Sequence, residues 1–203
     1  MIDRRLFLLS ASLVLLSGLG PALATAKEGA TEHIEKLGEQ AFSDLGQSGL
    51  SLAEREAVFA ETLRQGFDLP LIARFVMGKY WRRASPEQRD DYVDLFSRFV
   101  IKTYAQHLGG FAGSAFEIIG AKPIGKKDIL VRTVVKRKSG PPVKAGWRVR
   151  GKNDQYKIVD VMIEGISMAV TQRQDFASIL RRDGVEGLLQ ILRAKTGRMP
   201  ATS

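Results

Sequence analysis

The chain has 203 residues, of which 44% are hydrophobic and 26% are charged, and its formal net charge is +9 at pH 7. This length and composition fit one globular domain with its own hydrophobic core, and the sequence contains no repeat or low-complexity block. There is no cysteine, which excludes disulfide bonds and thiol chemistry, so core burial must stabilise the fold.

The start of the chain is typical of an export signal. Arg4 and Arg5 precede an apolar run at 6–19 that is broken only by small residues, and an A-x-A cleavage signal follows at 24–26. The apolar run is too short to favour spanning a bilayer. Paired arginines are typical of both the general secretory and the twin-arginine route. We therefore expect residues 1–26 to be removed on export.

The mature chain is expected to remain basic. Removing Asp3, Arg4 and Arg5 lowers the net charge only from +9 to +8. A basic surface favours anionic partners, which outside the cytoplasm means lipid phosphates more than nucleic acid. It is equally typical of a solvated surface with no partner. No later apolar stretch is long enough to cross a membrane, so we expect the exported protein to be soluble.

Helical patterns dominate the first half of the chain. A first helix is predicted over 28–45, where apolar residues recur on one stripe. Ser51 and Glu54 form a capping box that begins a second helix. Asp68 caps a third helix, with Pro70 in its first turn.

The longest predicted helix begins at Ser85, where the cap, a first-turn proline and the box partner Gln88 are in register. Its apolar residues recur at spacings of three and four until the glycine pair at 109–110. At about 1.5 Å per residue, this helix spans on the order of 35 Å, roughly the width of a small domain.

After Gly113 the apolar residues recur with a period of two, which predicts strands. The last strand has apolar residues on both predicted faces, so we expect it to be covered on both sides. Short connections between neighbouring strands predict an antiparallel sheet, and helices segregated from it predict an α+β fold. The four predicted strands are 116–119, 129–135, 145–149 and 156–163.

Two helices are predicted after the sheet. Thr171 caps the first, with Gln174 as its box partner, and this helix ends at Gly184. The second covers 185–195, and residues 199–203 are expected to be a frayed tail.

The sequence contains none of the common catalytic or metal-binding motifs. It has no phosphate-binding glycine loop, cysteine cluster or aspartate-rich loop. His33 and His107 lie in polar helical stretches, so we expect both on the surface. Ser167 lacks one glycine of the nucleophile elbow and is better explained as a loop serine that bonds backbone groups. We expect no catalytic residue, no metal and no cofactor.

Asp160 is an unusual residue, because it lies on an otherwise apolar strand and a buried carboxylate needs a partner. Arg173 is the nearest candidate along the chain, since it begins the helix that must fold back over the sheet. We therefore predict a buried ion pair between Asp160 and Arg173.

Two separated blocks of sequence carry distinctive motifs. The first block comprises F-D-L-P at 67–70, I-A-R-F-V-M-G-K-Y-W at 72–81, S-P-E-Q-R at 85–89, Phe96, Phe99 and T-Y-A at 103–105. The second comprises Y-K-I-V-D-V at 156–161, E-G-I-S-M at 164–168, T-Q-R at 171–173, Phe176 and I-L at 179–180. Together the two blocks resemble one family, the periplasmic phospholipid-binding component of the Mla lipid-transport system, also known as the toluene-tolerance family. The variant S-M at 167–168 followed by T-Q-R at 171–173 is more similar to relatives associated with hopanoid biosynthesis.

This resemblance implies N-terminal and C-terminal helices packed on an antiparallel four-stranded sheet, with an apolar lipid cavity between the layers. It implies a soluble periplasmic carrier, the substrate-binding component of an ABC-type system. Its partners would be a phospholipid or hopanoid-like lipid, an inner-membrane ABC transporter and an outer-membrane lipid complex. No nucleic acid and no catalysis are implied, and we expect a monomer.

Physical chemistry is consistent with a carrier of this kind. Two acyl chains expose about 30 methylenes to water, at about 0.8 kcal/mol each, so a lipid needs an enclosed apolar cavity for transit. The cavity needs no strong anchor, because the lipid must be released. The predicted lining residues are Phe75, Val76, Phe96, Phe99, Val100, Tyr104, Val131, Val135, Trp147, Val149, Val161, Ile163 and Met168.

We therefore predict one lipid-binding domain over 27–198, with a helical half at 27–110 and the sheet and last helices at 114–196. The alternative is a basic periplasmic adaptor that docks membrane complexes and has a fully packed interior. A periplasmic hydrolase that uses Asp160 or Ser167 ranks third.

Overall fold

A computed structural model of the chain describes residues 20–45, 49–107, 115–136, 140–153 and 155–197. Most of the predicted leader and the predicted tail at 199–203 lie outside these residues. Residues 20–26 of the leader form the first turns of a helix. Within the described part of the chain, no helix is both long enough and apolar enough to span a membrane.

Three of the four helix starts predicted in the first half are confirmed, whereas the first helix begins at Gly20 within the described residues and not at residue 28. Ser51 and Ser85 each form the predicted capping box, and the Asp68 side chain accepts a hydrogen bond from the Leu71 N–H. The fourth helix ends at Ala105, a little earlier than predicted, and a 3₁₀ turn precedes it. The helices are α1 (Gly20–Leu45), α2 (Leu52–Gly66), α3 (Leu69–Met77) and α4 (Pro86–Ala105), with the 3₁₀ turn at Gly78–Arg82.

The predicted antiparallel sheet is confirmed, and its strands lie in chain order. It has five strands, because two residues after the last predicted strand turn back and pair with Met162 and Ile163. A strand of two residues is too short to produce an alternating pattern. The strands are β1 (Ala115–Ile124), β2 (Asp128–Lys136), β3 (Val143–Lys152), β4 (Gln155–Ile163) and β5 (Ile166–Ser167).

The last two helices are α5 (Met168–Arg182) and α6 (Gly184–Gly197). The prediction that Thr171 caps α5 was wrong. Ser167 is the cap, because its hydroxyl accepts the Val170 N–H at 3.1 Å. Thr171 lies one turn inside the helix and donates its own hydroxyl to the Ser167 carbonyl at 2.9 Å.

Two β-bulges explain why the strand pattern was ambiguous. The pairing register shifts between Ile118 and Gly120 in β1, and opposite Arg148 and Val149 in β4. A bulge adds one residue and reverses which face later side chains occupy. In β4, Ile158 and Val161 therefore both pack on the helix side of the sheet despite their odd spacing. The expected coverage of β4 on both faces agrees with the burial of this strand, since no residue from Tyr156 to Ile163 is exposed.

The molecule has two hydrophobic cores. One lies between α3, α4, α5 and α6 and includes Tyr92, Phe96 and Phe176. The other lies between α1 and the sheet and includes Ile34, Val149 and Ile158. The space between these cores contains the candidate site.

The carboxylate of Asp128 is buried on the other face of the sheet and binds two arginines. It accepts hydrogen bonds from Arg148 Nε and Arg150 Nε, both at 2.6 Å. Burial alone would raise the pKa of Asp128, but the hydrogen bonds from Arg150 and Arg148 outweigh it and hold the pKa below its usual value. This cluster joins β2 to β3.

The predicted ion pair between Asp160 and Arg173 was wrong. The buried carboxylate of Asp160 accepts the Ser167 hydroxyl at 2.6 Å and the Ala169 N–H at 3.1 Å. It therefore binds the first turn of α5, where the free N–H groups of a helix favour a negative charge. Arg173 instead donates to the Phe75 carbonyl at 3.4 Å, on α3.

We expect Asp160→Ala to lower the free energy of unfolding by about 3 kcal/mol, because the buried N–H of Ala169 loses its acceptor and a charged hydrogen bond is lost. Urea denaturation followed by circular dichroism measures this change. Arg173→Gln is the matched control and should cost much less. Equal losses for the two variants would restore the ion-pair hypothesis.

We expect Asp128→Asn to be less stable than the unaltered protein at pH 5 to 7. The folded-state pKa of Asp128 is depressed, so its contribution is complete above the unfolded pKa of about 3.9 and is lost as the pH falls through the folded value. The difference in urea midpoint between the two proteins should therefore shrink below about pH 4. A difference that does not change with pH would contradict this account.

Candidate functional site

An apolar cavity of about 220 Å³ lies between α1, α2 and the sheet. We call it the α1 lobe. Thr62 is the one lining residue with a polar side chain apart from the Trp147 indole, whose N–H donates to Thr133 Oγ1 at 2.9 Å. Its lining residues are Ile34, Leu37, Gly38, Ala41, Phe42, Leu45, Phe59, Thr62, Phe67, Phe116, Val135, Val143, Ala145, Trp147 and Ile163.

A second cavity of about 250 Å³ lies between the sheet and helices α2 to α5. We call it the α4 lobe. It is also mainly apolar, with Tyr104, Asp160 and Gln172 as its polar lining residues. Its lining residues are Phe59, Leu63, Phe67, Leu69, Ile72, Phe96, Val100, Tyr104, Trp147, Asp160, Val161, Ile163, Met168, Ala169 and Gln172.

Four residues line both cavities: Phe59, Phe67, Trp147 and Ile163. The two cavities therefore lie next to each other, and we call these four shared side chains the septum. An apolar cavity of about 150 Å³ already binds benzene in an engineered protein, so each lobe has room for an apolar ligand group.

The α1 lobe depends on a close approach of α1 to the sheet. A Cβ atom at Gly38 would lie 2.7 Å from the Phe116 ring, so a larger residue would push the helix away. One turn further along, the Phe42 ring packs on the Phe116 ring with centroids 5.5 Å apart. Glycine at position 38 thus sets the depth of this lobe.

The polar side chains of the α4 lobe are mostly hydrogen-bonded within the protein or carry no charge. Asp160 is bound by Ser167 and Ala169, as described above. Burial, and then the nearby charge of Asp175, raises the pKa of Tyr104, so its hydroxyl stays protonated at neutral pH and can donate a hydrogen bond. No charged group is left to hold an ionic ligand inside the described walls of this lobe.

The structure places eight of the thirteen predicted lining residues around the lobes. Trp147 and Ile163 lie on the septum and Val135 lies in the α1 lobe. The others lie in the α4 lobe: Phe96, Val100, Tyr104, Val161 and Met168.

The remaining five predicted residues do not line either lobe. Val76 and Phe99 fill the helical core, and Val131 and Val149 fill the core under α1. Phe75 is 43% exposed on the outer side of α3. Sequence periodicity identifies an apolar face, but it does not separate a packed core position from a cavity wall.

Sequence reasoning missed the contributions of α1, α2 and the segment that follows α2. The apolar stripe of α1 was identified as a helix face, yet not as a cavity wall. Phe59 and Phe67, which line both lobes, lie in segments where only the helix caps had been analysed.

Side chains considered for catalysis have structural roles. The Ser167 hydroxyl is used twice, as the cap of α5 and as a donor to Asp160. His33 is half-buried rather than on the surface, and its ring bonds the Gly66 carbonyl at 3.2 Å. Burial lowers the pKa of His33, which favours the neutral ring. His107 is exposed, as predicted, and bonds the Thr103 carbonyl.

Comparison with known proteins identifies similar chains. The family model described as MlaC protein matches residues 35–194. The intermembrane phospholipid transport system binding protein MlaC of Haemophilus influenzae is 23% identical over 165 residues, which are 77% of each chain. The toluene tolerance protein ttg2D of Pseudomonas putida is 24% identical over 106 residues, 52% of this chain and 49% of that one.

A solved structure has the same fold. It is the phospholipid-binding protein of Ralstonia solanacearum in complex with a phospholipid, with a TM-score of 0.74 and 24% identity. The match covers 83% of this chain and 97% of the other.

We expect Trp147 to report directly on the lobes. The chain has two tryptophans, and Trp81 lies outside both lobes. In a Trp81→Phe variant, a fatty acid brominated along its alkyl chain should quench most of the fluorescence, because bromine must touch the indole to quench it. In the Trp147→Phe variant, the same titration should leave Trp81 emission nearly unchanged. Equal quenching in both variants would mean that the chain binds outside the lobes.

Proposed function

The chain belongs to the MlaC family, and we propose that it is a periplasmic carrier that holds a phospholipid by its acyl chains and moves it between membranes. The observation that carries this proposal is the apolar space with two lobes between the helical core and the sheet. We keep residues 27–198 as a single lipid-binding domain. The match to the family model, over 35–194, falls inside it.

The shape of the site supports a ligand with two chains. The septum of Phe59, Phe67, Trp147 and Ile163 separates two spaces of similar size, about 220 and 250 Å³. Two flexible acyl chains from one glycerol can enter separate lobes. A rigid fused-ring lipid cannot bend around a septum, so we favour a diacyl phospholipid over a hopanoid-like cargo.

The chemistry of the walls supports release as well as binding. Burying an acyl chain in either lobe removes methylenes from water, at about 0.8 kcal/mol each, and a bilayer offers nearly the same gain. The described lining contains no cation to hold a phosphate group. The headgroup therefore stays near solvent, and transfer to an acceptor membrane is close to balanced.

The same features support a carrier rather than an enzyme. Ser167 and Asp160, the residues considered for a hydrolase, are committed to each other and to the start of α5. We propose that an inner-membrane ABC transporter and an outer-membrane lipid complex exchange lipid with this chain. The similar H. influenzae protein is the binding protein of an intermembrane phospholipid transport system.

The test is the lipid content of the protein. The full chain is expressed in a Gram-negative host, purified from the periplasmic fraction, extracted with organic solvent and analysed by mass spectrometry. We expect diacyl phospholipid in the extract. A protein that is folded and free of lipid would favour the adaptor hypothesis, and fused-ring lipids alone would reject the two-chain assignment.

Variants that fill one lobe sharpen this test. Ala41→Phe fills part of the α1 lobe and Val100→Phe fills part of the α4 lobe. Each should lower bound diacyl lipid several-fold and favour lysolipids, which have a single chain. Ala57→Phe, at an exposed position of α2, is the matched control and should retain the original cargo. Loss of lipid in the control as well would show that the effect is not specific to the lobes.

A further inference from the structure

One surface of the helical half is strongly basic. Residues 69–86, which contain α3 and the 3₁₀ turn, carry four cationic side chains and no aspartate or glutamate. Three of these cations are Arg74, Arg82 and Arg83, all exposed, and Lys79 is the fourth. Arg173 on α5 adds a fifth, because its guanidinium lies 5.0 Å from the centroid of the Phe75 ring on α3.

These five cations differ from six of the ten other arginines in the described part of the chain. Arg64, Arg98, Arg148, Arg150, Arg182 and Arg193 each form an ion pair with a carboxylate. Within the described part of the chain, no carboxylate lies within 4.0 Å of the charged nitrogens of the five. Their charge is therefore not neutralised by a neighbouring side chain.

Exposed apolar side chains lie among these cations. Phe75, Ile166 and Val170 are 43%, 61% and 42% exposed, which makes them three of the five exposed large hydrophobic residues in the described ranges. Val170 and Arg173 lie one turn apart on α5, and Arg173 stacks on Phe75. Phe75, Val170 and Arg173 thus lie together where α3 meets α5, and Ile166 directly precedes Ser167, the cap of α5.

An aromatic residue extends the surface along the 3₁₀ turn. The ring of Tyr80 lies between two cations, 5.5 Å from Lys79 Nζ and 5.6 Å from the Arg83 guanidinium. We call the whole set the α3–α5 surface, and it comprises Arg74, Phe75, Lys79, Tyr80, Arg82, Arg83, Ile166, Val170 and Arg173.

We propose that the α3–α5 surface docks on a membrane whose headgroups are anionic. This goes beyond the proposed carrier function, since it concerns how the protein meets a bilayer and not what it holds. Cations around exposed aromatic and aliphatic side chains are typical of binding at a membrane interface, where the apolar groups enter the headgroup region and the cations meet phosphates. An acidic protein would satisfy the charges but would not require the exposed Phe75, Ile166 and Val170.

Docking in this way would place the α4 lobe close to the bilayer. Ile72 on α3 and Met168 on α5 both line that lobe, and the same two helices carry the docking residues. Helices α3 and α5 would then separate the α4 lobe from the membrane. A lipid leaving the lobe beside these helices would have the shortest path to the interface.

The experiment is sedimentation of the purified protein with vesicles. One set is phosphatidylcholine alone and the other contains one-third phosphatidylglycerol. We expect binding to the anionic vesicles only, weakening as salt is raised. Binding to neither set would overturn the proposal and assign the surface to an acidic protein. A dimer in sedimentation velocity that the variants below abolish would also overturn it.

Two variants test the surface itself. Each cation near an anionic membrane strengthens binding by about fivefold, so Arg74→Gln, Arg82→Gln and Arg83→Gln together should weaken it by about a hundredfold. Phe75→Ser alone should weaken binding without changing its salt dependence. Both should fold normally by circular dichroism and keep their extracted lipid, which separates a docking defect from a cargo defect.

The matched control removes three positive charges from a different part of the surface. Lys122, Lys126 and Lys127 are exposed in and beside the β1–β2 turn, and their triple change to Gln leaves the α3–α5 surface intact. This control should bind anionic vesicles nearly as well as the unaltered protein. Equal loss in the two triple variants would mean that only the total charge matters, and would reject a defined docking surface.

Discussion

The constraint on which this structure depends is the energetic cost of keeping an apolar space open inside a small domain. An unfilled apolar cavity lowers stability as its volume grows, because the atoms of its walls lose packing contacts. The two lobes have volumes of about 220 and 250 Å³, and the whole stability of a typical domain is only about 5 to 15 kcal/mol. The fold must therefore hold the walls apart without relying on contacts across the lobes, and a lipid that fills them relieves the cost.

The two hydrophobic cores meet this requirement, because the helices that line the lobes also pack on other helices or on the sheet. Phe96 faces the α4 lobe yet packs on Phe176, with ring centroids 6.4 Å apart. Hydrogen bonds fix the spacing between the cores: Asp160 binds the start of α5, and the Asp68 N–H donates to the Ile158 carbonyl at 3.0 Å. These bonds join the sheet to α3 and α5 at its edge, so collapse of the lobes would break buried polar contacts.

Local signals in the sequence predicted the three capped helix starts of the first half, since a cap such as Ser85 with Gln88 depends only on neighbouring residues. The sheet was predicted in outline, but the bulge opposite Val149 reversed the face of part of β4, and a bulge has no signature in an alternating pattern. Thr171 was preferred over Ser167 as a cap because the partner that fixes Ser167, Asp160, lies on another element. The lobes could not be predicted from periodicity, because Phe99 in a core and Val100 on a lobe wall are both apolar residues of one helix.

Transport adds a further condition, since a carrier must bind its cargo strongly enough to cross water and weakly enough to release it. Walls made almost entirely of hydrocarbon side chains meet this condition, because moving a chain from bilayer to lobe changes its surroundings little. An arginine in either lobe would break the balance by holding the phosphate. The arginines in the described part of the chain instead bind carboxylates, as at Asp128, or lie outside the lobes, as at Arg173. In the proposed function, the division of the chain into apolar walls and a basic exterior separates two tasks: the walls would hold the lipid, and the exterior would determine which surface the protein approaches.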